Sequence, residues 1–119
     1  AVSHNLGARY GVPHGLGNAI VLPHVLVLMK DAACTPLSEI ALHAGLGEEG
    51  DSEAVLAQKL IDRVTLLNEE IGIPATTDAL KSEDIEELTD AILAEGSGYP
   101  TPRFLEREEC VALLRTIQG

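Results

Sequence analysis

Residues 55–71 read VLAQKLIDRVTLLNEEI, the clearest helical pattern in the chain. Apolar residues recur there at intervals of three and four, which is the period of one face of an α-helix: Val55, Leu56, Leu60, Ile61, Val64, Leu67 and Ile71. The acidic residues Asp51 and Glu53 precede this pattern, where negative charge is favoured by the positive N-terminal end of the helix dipole. Gly72 follows it and marks the C-terminal end of the helix. Because strand-like alternation is hard to find elsewhere, we predict an all-α protein.

Five more helices are predicted around this one, beginning near residues 1, 14, 36, 82 and 106. The helix that starts at His14 is apolar nearly all round, which predicts a place in the middle of a bundle. The last helix is expected to bury Val111, Leu114 and Ile117. Six helices joined by short loops predict a single helical bundle that takes up the whole chain.

The composition excludes several classes of partner. With 19 acidic against 8 basic side chains the formal net charge is −11, and such a surface repels the phosphates of nucleic acids and anionic membranes. The longest apolar run, Ala19–Met29, is too short to span a bilayer. Cys34 and Cys110 fit the apolar phases of their helices as small buried residues. Two thiols without a disulfide framework favour a reducing compartment, so we expect a cytoplasmic protein.

Among the four histidines, His14 has the setting most favourable to metal binding. It lies in the first turn of its helix, where the dipole disfavours imidazolium, and neutral imidazole is the form that binds divalent metals. Gly15 and Gly17 leave the neighbouring backbone open to close approach. By contrast, we expect His24 to be a core residue and His43 to be a solvated residue at a helix end. From the residues alone, a metal ligand and a structural histidine remain equally open for His14.

Three short segments near the start of the chain share a pattern with a known family. They are HNLGA at 4–8, PHGLGNA at 13–19 and LPHV at 22–25. Together they resemble the C-terminal domain of the iron-containing (group III) alcohol dehydrogenases. The later segments Gly72-Ile73-Pro74 and Thr101-Pro102-Arg103 are similar more loosely, with Thr101 where the family has Asn. The resemblance implies the helical C-terminal half of a two-domain, dehydroquinate synthase-like fold.

The resemblance also implies roles for two histidines. His14 matches a metal ligand at the start of the central helix. His4 matches the second member of a His-x-x-x-His pair, the catalytic histidine near the nicotinamide and substrate. The first member of that pair, another metal ligand, would fall one position before Ala1. We therefore expect the remaining ligands and an N-terminal dinucleotide-binding domain upstream, and we expect residues 1–119 alone to be inactive.

The activity implied in this way is the interconversion of a small alcohol and its aldehyde by hydride transfer. It uses Fe²⁺ or Zn²⁺ together with NAD or NADP. No cofactor-binding residue is identified in this chain, because its glycines do not follow a strand as a dinucleotide fingerprint requires. The partners implied are the substrate, the protein's own N-terminal domain and, as an alternative to a monomer, a second copy in a homodimer. A zinc-dependent glycerol dehydrogenase-like enzyme of the same fold and a non-catalytic helical binding module remain as alternatives.

Overall fold

The computed structural model describes all of residues 1–119, and its regular structure is helical. Six α-helices follow one another, with a 3₁₀ turn at Ser82–Asp84 before the fifth. They are α1 (Val2–Tyr10), α2 (His14–Met29), α3 (Cys34–His43), α4 (Glu53–Ile71), α5 (Ile85–Gly96) and α6 (Arg107–Ile117). The only β-type pairing is an isolated bridge between Thr77 and Gln118. The all-α prediction is confirmed.

The helix ends have local causes in the sequence. Gly11 and Gly72 follow α1 and α4 with φ values of 69° and 81°, in the left-handed region that glycine adopts without strain. The Ser52 hydroxyl caps α4 by accepting from the Val55 backbone N–H at 3.3 Å. At the start of α6, the side chain and backbone of Glu106 exchange hydrogen bonds with those of Glu109, which is a capping box. These local signals explain why most predicted helix ends agree with the structure.

The chain divides into two compact units, one of residues 1–22 and 73–119 and the other of residues 23–72. In the first unit, α1 and α6 pack against α5. Its buried side chains include Val2, Leu6, Ile85, Leu88, Ile92, Cys110, Leu113, Leu114 and Ile117. In the second unit α3 packs on α4 and buries Leu37, Ala41, Leu56, Ala57 and Ile61. The chain crosses between the units inside α2, before Pro23, and returns after Gly72.

In α6 the buried face differs slightly from the predicted one. Cys110, Leu114 and Ile117 are buried as predicted, but Val111 is only half-buried. The buried stripe follows Cys110, Leu113, Leu114 and Ile117, which is the i, i+3, i+4, i+7 spacing of one helix face. Val111 lies at the edge of that stripe.

The second unit shows larger differences from the prediction. The apolar pattern of α4 is buried mainly in its first half, and Ile71 at its end is 63% exposed. The second half of α2 is also not central, since residues 23–28 are half-buried or exposed. Cys34 is half-buried rather than buried, because it is the first residue of α3. No helix combines the length and the apolar character needed to cross a membrane.

Candidate active site

His4 lies in the first half of α1, with 68% of its side chain exposed. Its Nδ1 donates to Oε1 of Glu95 at 2.5 Å, and Glu95 belongs to the last turns of α5. The two residues are 91 positions apart in the chain. The ring is therefore held by its Nδ1 edge, while the rest of it faces solvent.

Glu95 receives hydrogen bonds from three side chains. Besides His4, the Tyr99 hydroxyl donates to Oε1 at 2.7 Å and the Asn5 Nδ2 donates to Oε2 at 2.8 Å. The hydrogen bonds from Tyr99 and His4 lower the pKa of Glu95 from 4.5 to about 2, because they stabilise the ionised carboxylate. The same contact raises the pKa of Tyr99, since the phenol loses a donated hydrogen bond when it ionises. Glu95 is thus an anion at neutral pH.

The helices that carry His4 and Glu95 run antiparallel and are tied at both ends. At the far end of α1, Arg9 donates to Oδ1 of Asp84 at 2.6 Å and the Tyr10 hydroxyl donates to Oδ2 at 2.7 Å. Asp84 immediately precedes α5, and the hydrogen bonds from Arg9 and Tyr10 lower its pKa. Two sets of polar contacts therefore fix the register in which His4 meets Glu95.

His14 is the first residue of α2 and is exposed. Asn18, one turn further along the same helix, donates from Nδ2 to His14 Nε2 at 3.0 Å. The Oδ1 of Asn18 in turn accepts from the Ser3 hydroxyl of α1 at 2.5 Å. Ser3 and His4 are neighbours in the chain. One turn of α1 therefore carries both His4 and the residue that hydrogen-bonds to Asn18, the partner of His14.

The glycines beside His14 differ in what approaches them. A Cβ placed on Gly17 would lie 3.5 Å from the Cβ of Ser3, so here the approaching element is α1. A Cβ on Gly15 would meet nothing within 4 Å. The absence of a side chain at Gly17 thus allows α1 to pack closely against it. The absence of a side chain at Gly15 leaves free space beside His14.

The other two histidines belong to the second unit. His43 is the exposed last residue of α3, as predicted. His24 is half-buried within α2, less than a core position would be, and burial lowers the pKa of its ring. Neither takes part in the hydrogen bonds around His4 and His14.

A family model described as "Fe-containing alcohol dehydrogenase family, C-terminal" matches residues 1–118. The chain belongs to this family. The resemblance noted in the first segments thus extends over almost the whole sequence, including the helices that carry His4 and His14.

Relatives of this C-terminal domain include characterised oxidoreductases. The chain is 33% identical to 1,3-propanediol dehydrogenase of Klebsiella pneumoniae, over 97% of its own length and 30% of the relative's. It is 34% identical to lactaldehyde reductase of Escherichia coli K12, over 97% of its own length and 31% of the relative's. A solved structure of 1,3-propanediol oxidoreductase matches with a TM-score of 0.87 and 33% identity, over 96% of this chain and 30% of that one. The chain thus spans about 30% of these relatives, and the match confirms the all-α fold.

The family name implies a metal, and the donors of this chain can be tested against that requirement. Nowhere in residues 1–119 do three or more histidine, cysteine, aspartate or glutamate side chains lie together in a group that could hold a metal ion. His14, with an exposed imidazole next to the open space at Gly15, has the donor chemistry of a single ligand. A protein metal site needs three or four such donors. Within residues 1–119, His14 therefore offers one donor of a suitable kind, which is fewer than a complete metal site needs.

Several residues of this site are not among those expected from the sequence. Asn18 could be found from its i, i+4 spacing to His14, because residues four apart are neighbours on a helix. Glu95, Asn5 and Tyr99 could not be found in that way. Glu95 meets His4 only because α1 packs against α5, and Asn5 and Tyr99 join the cluster through their hydrogen bonds to Glu95.

Proposed function

We propose that this chain is the helical C-terminal part of a metal-dependent NAD(P) alcohol dehydrogenase. The observation that carries the proposal is the family match over residues 1–118, combined with two exposed histidines on adjoining helices of one unit. In this proposal His14 supplies one metal ligand and His4 is the catalytic histidine. The substrate is a small alcohol or aldehyde, and the dinucleotide binds to a domain outside residues 1–119.

The chemistry is divided between the bound groups and this chain. When bound, the Fe²⁺ or Zn²⁺ ion supplies Lewis acidity towards an alcohol oxygen, and the nicotinamide supplies the hydride acceptor. An alcohol that becomes an aldehyde must also lose its hydroxyl proton. Histidine is the side chain best suited to take up and release a proton near neutral pH. His4 is exposed and held at only one edge, so its free edge is available for this transfer.

The donor chemistry of His14 suits either metal. Imidazole is a borderline ligand that binds ferrous iron and zinc, and it binds in the neutral form. In the structure the amide of Asn18 occupies the lone pair of His14 Nε2. If Nε2 is the atom that binds the metal, the Asn18 amide must turn away from it.

A pair of substitutions in the full-length protein tests both roles. His14→Ala should lose metal and activity together, because one ligand is removed. His4→Ala should keep the metal and slow alcohol oxidation about 10²–10⁴-fold, the usual effect of losing a proton-transfer group. Metal is measured by elemental analysis, which also distinguishes iron from zinc, and turnover by steady-state kinetics.

The matched control is His43→Ala, which removes an exposed histidine from the other unit. It should change neither metal content nor turnover. Full metal and near-normal turnover in His14→Ala would refute the ligand role. Loss of metal in His4→Ala would show that the two roles are reversed.

A further inference from the structure

Glu95 is held more firmly than most surface carboxylates. Both of its oxygens accept hydrogen bonds, and the donors are the compact side chains of His4, Asn5 and Tyr99. Only 26% of the Glu95 side chain is exposed. An ordinary surface ion pair joins two long, mobile side chains and fixes little. Here the partners have few rotatable bonds, so the carboxylate occupies one position.

Asn5 fixes the orientation of the whole cluster. A single nitrogen, Nδ2 of Asn5, donates both to the Ala1 carbonyl at 2.9 Å and to Oε2 of Glu95 at 2.8 Å. A carbonyl oxygen can only accept, so the Ala1 contact keeps the NH₂ group on this side. The NH₂ group of Asn5 therefore favours an acceptor atom at the position of Oε2.

We propose that Glu95 is the positioning residue of His4: it accepts a hydrogen bond from Nδ1–H, fixes the ring in the Nδ1–H tautomer and leaves Nε2 free to take up a proton. This inference rests on the proposed role of His4 in proton transfer. A carboxylate on one ring nitrogen determines which nitrogen carries the proton and how the ring is oriented. The contacts of α1 and α5 at Asp84 help to hold the two residues in register.

The proposal makes an unusual prediction for Glu95→Gln. Asn5 still favours an acceptor there, so the amide oxygen of the new side chain takes the Oε2 position. Its NH₂ group then takes the Oε1 position and donates to His4 Nδ1, while the Tyr99 hydroxyl turns to accept. His4 is forced into the Nε2–H tautomer and cannot accept a proton at Nε2. Alcohol oxidation should fall about 10²–10⁴-fold, as much as in His4→Ala.

Glu95→Ala provides the comparison that separates this role from simple stability. It removes every contact of the carboxylate, but it leaves His4 in a mixture of tautomers, some of which still accept at Nε2. Turnover should therefore fall by a smaller factor than in Glu95→Gln. The isosteric Gln variant should be the slower of the two, whereas a structural role would make the truncation worse.

The experiment uses the full-length, zinc-loaded protein with ¹⁵N-labelled histidine. The ¹⁵N chemical shifts of the neutral His4 ring report its tautomer, and His4→Ala assigns the signals. We expect Nδ1–H in the parent protein, Nε2–H in Glu95→Gln and a mixture in Glu95→Ala, with unchanged metal content throughout. The control is Glu86→Gln on the same helix, where the carboxylate pairs instead with Arg107 at 2.7 Å. It should alter neither tautomer nor turnover.

Two results would overturn the inference. One is an Nδ1–H tautomer that persists in Glu95→Gln, and the other is a Glu95→Gln enzyme that is as fast as the parent or faster than Glu95→Ala. If His4→Ala itself turned over normally, the proposed function of His4 would fail instead. The tautomer measurement would then still decide whether Glu95 holds the ring, so the two failures can be distinguished.

Discussion

His4 and His14 reach their hydrogen-bond partners over very different lengths of chain. Glu95 lies 91 residues from His4 and on another helix, whereas Asn18 lies four residues from His14 on the same helix. The contact of His14 exists as soon as α2 forms. The contact of His4 exists only when α1 and α5 are packed together. A substitution that disturbs tertiary packing should therefore weaken the hydrogen bond of His4 more than that of His14.

The largest effect on this contrast is expected from Leu6→Ala. Leu6 is fully buried on α1, the helix that carries His4. Removing a buried leucine side chain costs about 2–5 kcal/mol of the free energy of unfolding. The His4–Glu95 contact should weaken, while the His14–Asn18 contact inside α2 should remain. Urea unfolding and the ¹⁵N signals of the two histidines measure both effects.

The control for Leu6→Ala is Leu66→Ala, at a side chain of α4 that is 46% exposed. Its effect on the free energy of unfolding should be clearly smaller, and neither histidine should change. If the ¹⁵N signals of His4 and His14 changed equally in Leu6→Ala, the claim that only the His4 contact depends on tertiary packing would be contradicted.

A smaller effect is expected from pH, through Glu95. Its pKa in the folded protein is lowered to about 2 from a normal value of 4.5. A depressed carboxyl pKa adds stability that is fully present above the unfolded value and is lost as pH falls through the folded value. The difference in the free energy of unfolding between the parent and Glu95→Gln should therefore be constant above about pH 4.5 and shrink as the pH falls towards 2. Urea unfolding at a series of pH values tests this, and a difference independent of pH would contradict it.

The smallest effect is expected from Asn18→Ala. This substitution removes the hydrogen bonds of Asn18 to His14 and to Ser3, all at exposed positions. A hydrogen bond contributes about 0.5–1.5 kcal/mol to stability, and exposure reduces this further. The free energy of unfolding should fall by no more than that amount, and the tautomer of His4 should not change. A change of tautomer at His4 would show that the two contacts are coupled through α1.

The sequence predicts features that depend on neighbouring residues. The spacing of apolar residues in 55–71 indicates α4, and Gly72 marks its end because glycine readily adopts the positive φ value found there. The first 25 residues indicate the family, which the match over residues 1–118 confirms. The roles of His4 and His14 themselves remain predictions.

Features that depend on distant residues could not be predicted in this way. Glu95 is one of several acidic residues on an amphipathic helix, and nothing near it in the sequence marks it as the partner of His4. In α6 the periodicity indicates that both Cys110 and Val111 are buried, and tertiary packing fully buries only Cys110. In α4 the periodicity indicates an apolar face but not what covers it, so the exposure of Ile71 could not be anticipated.

A crystal structure of the full-length, metal-loaded protein tests the central claim most directly. Anomalous scattering at the absorption edge of the bound metal should give a peak within about 2.0–2.2 Å of a ring nitrogen of His14. No peak should lie at His4, whose Nδ1 should still be bonded to Glu95. A metal peak on His4, or a metal site that His14 does not touch, would contradict the division of roles between the two histidines.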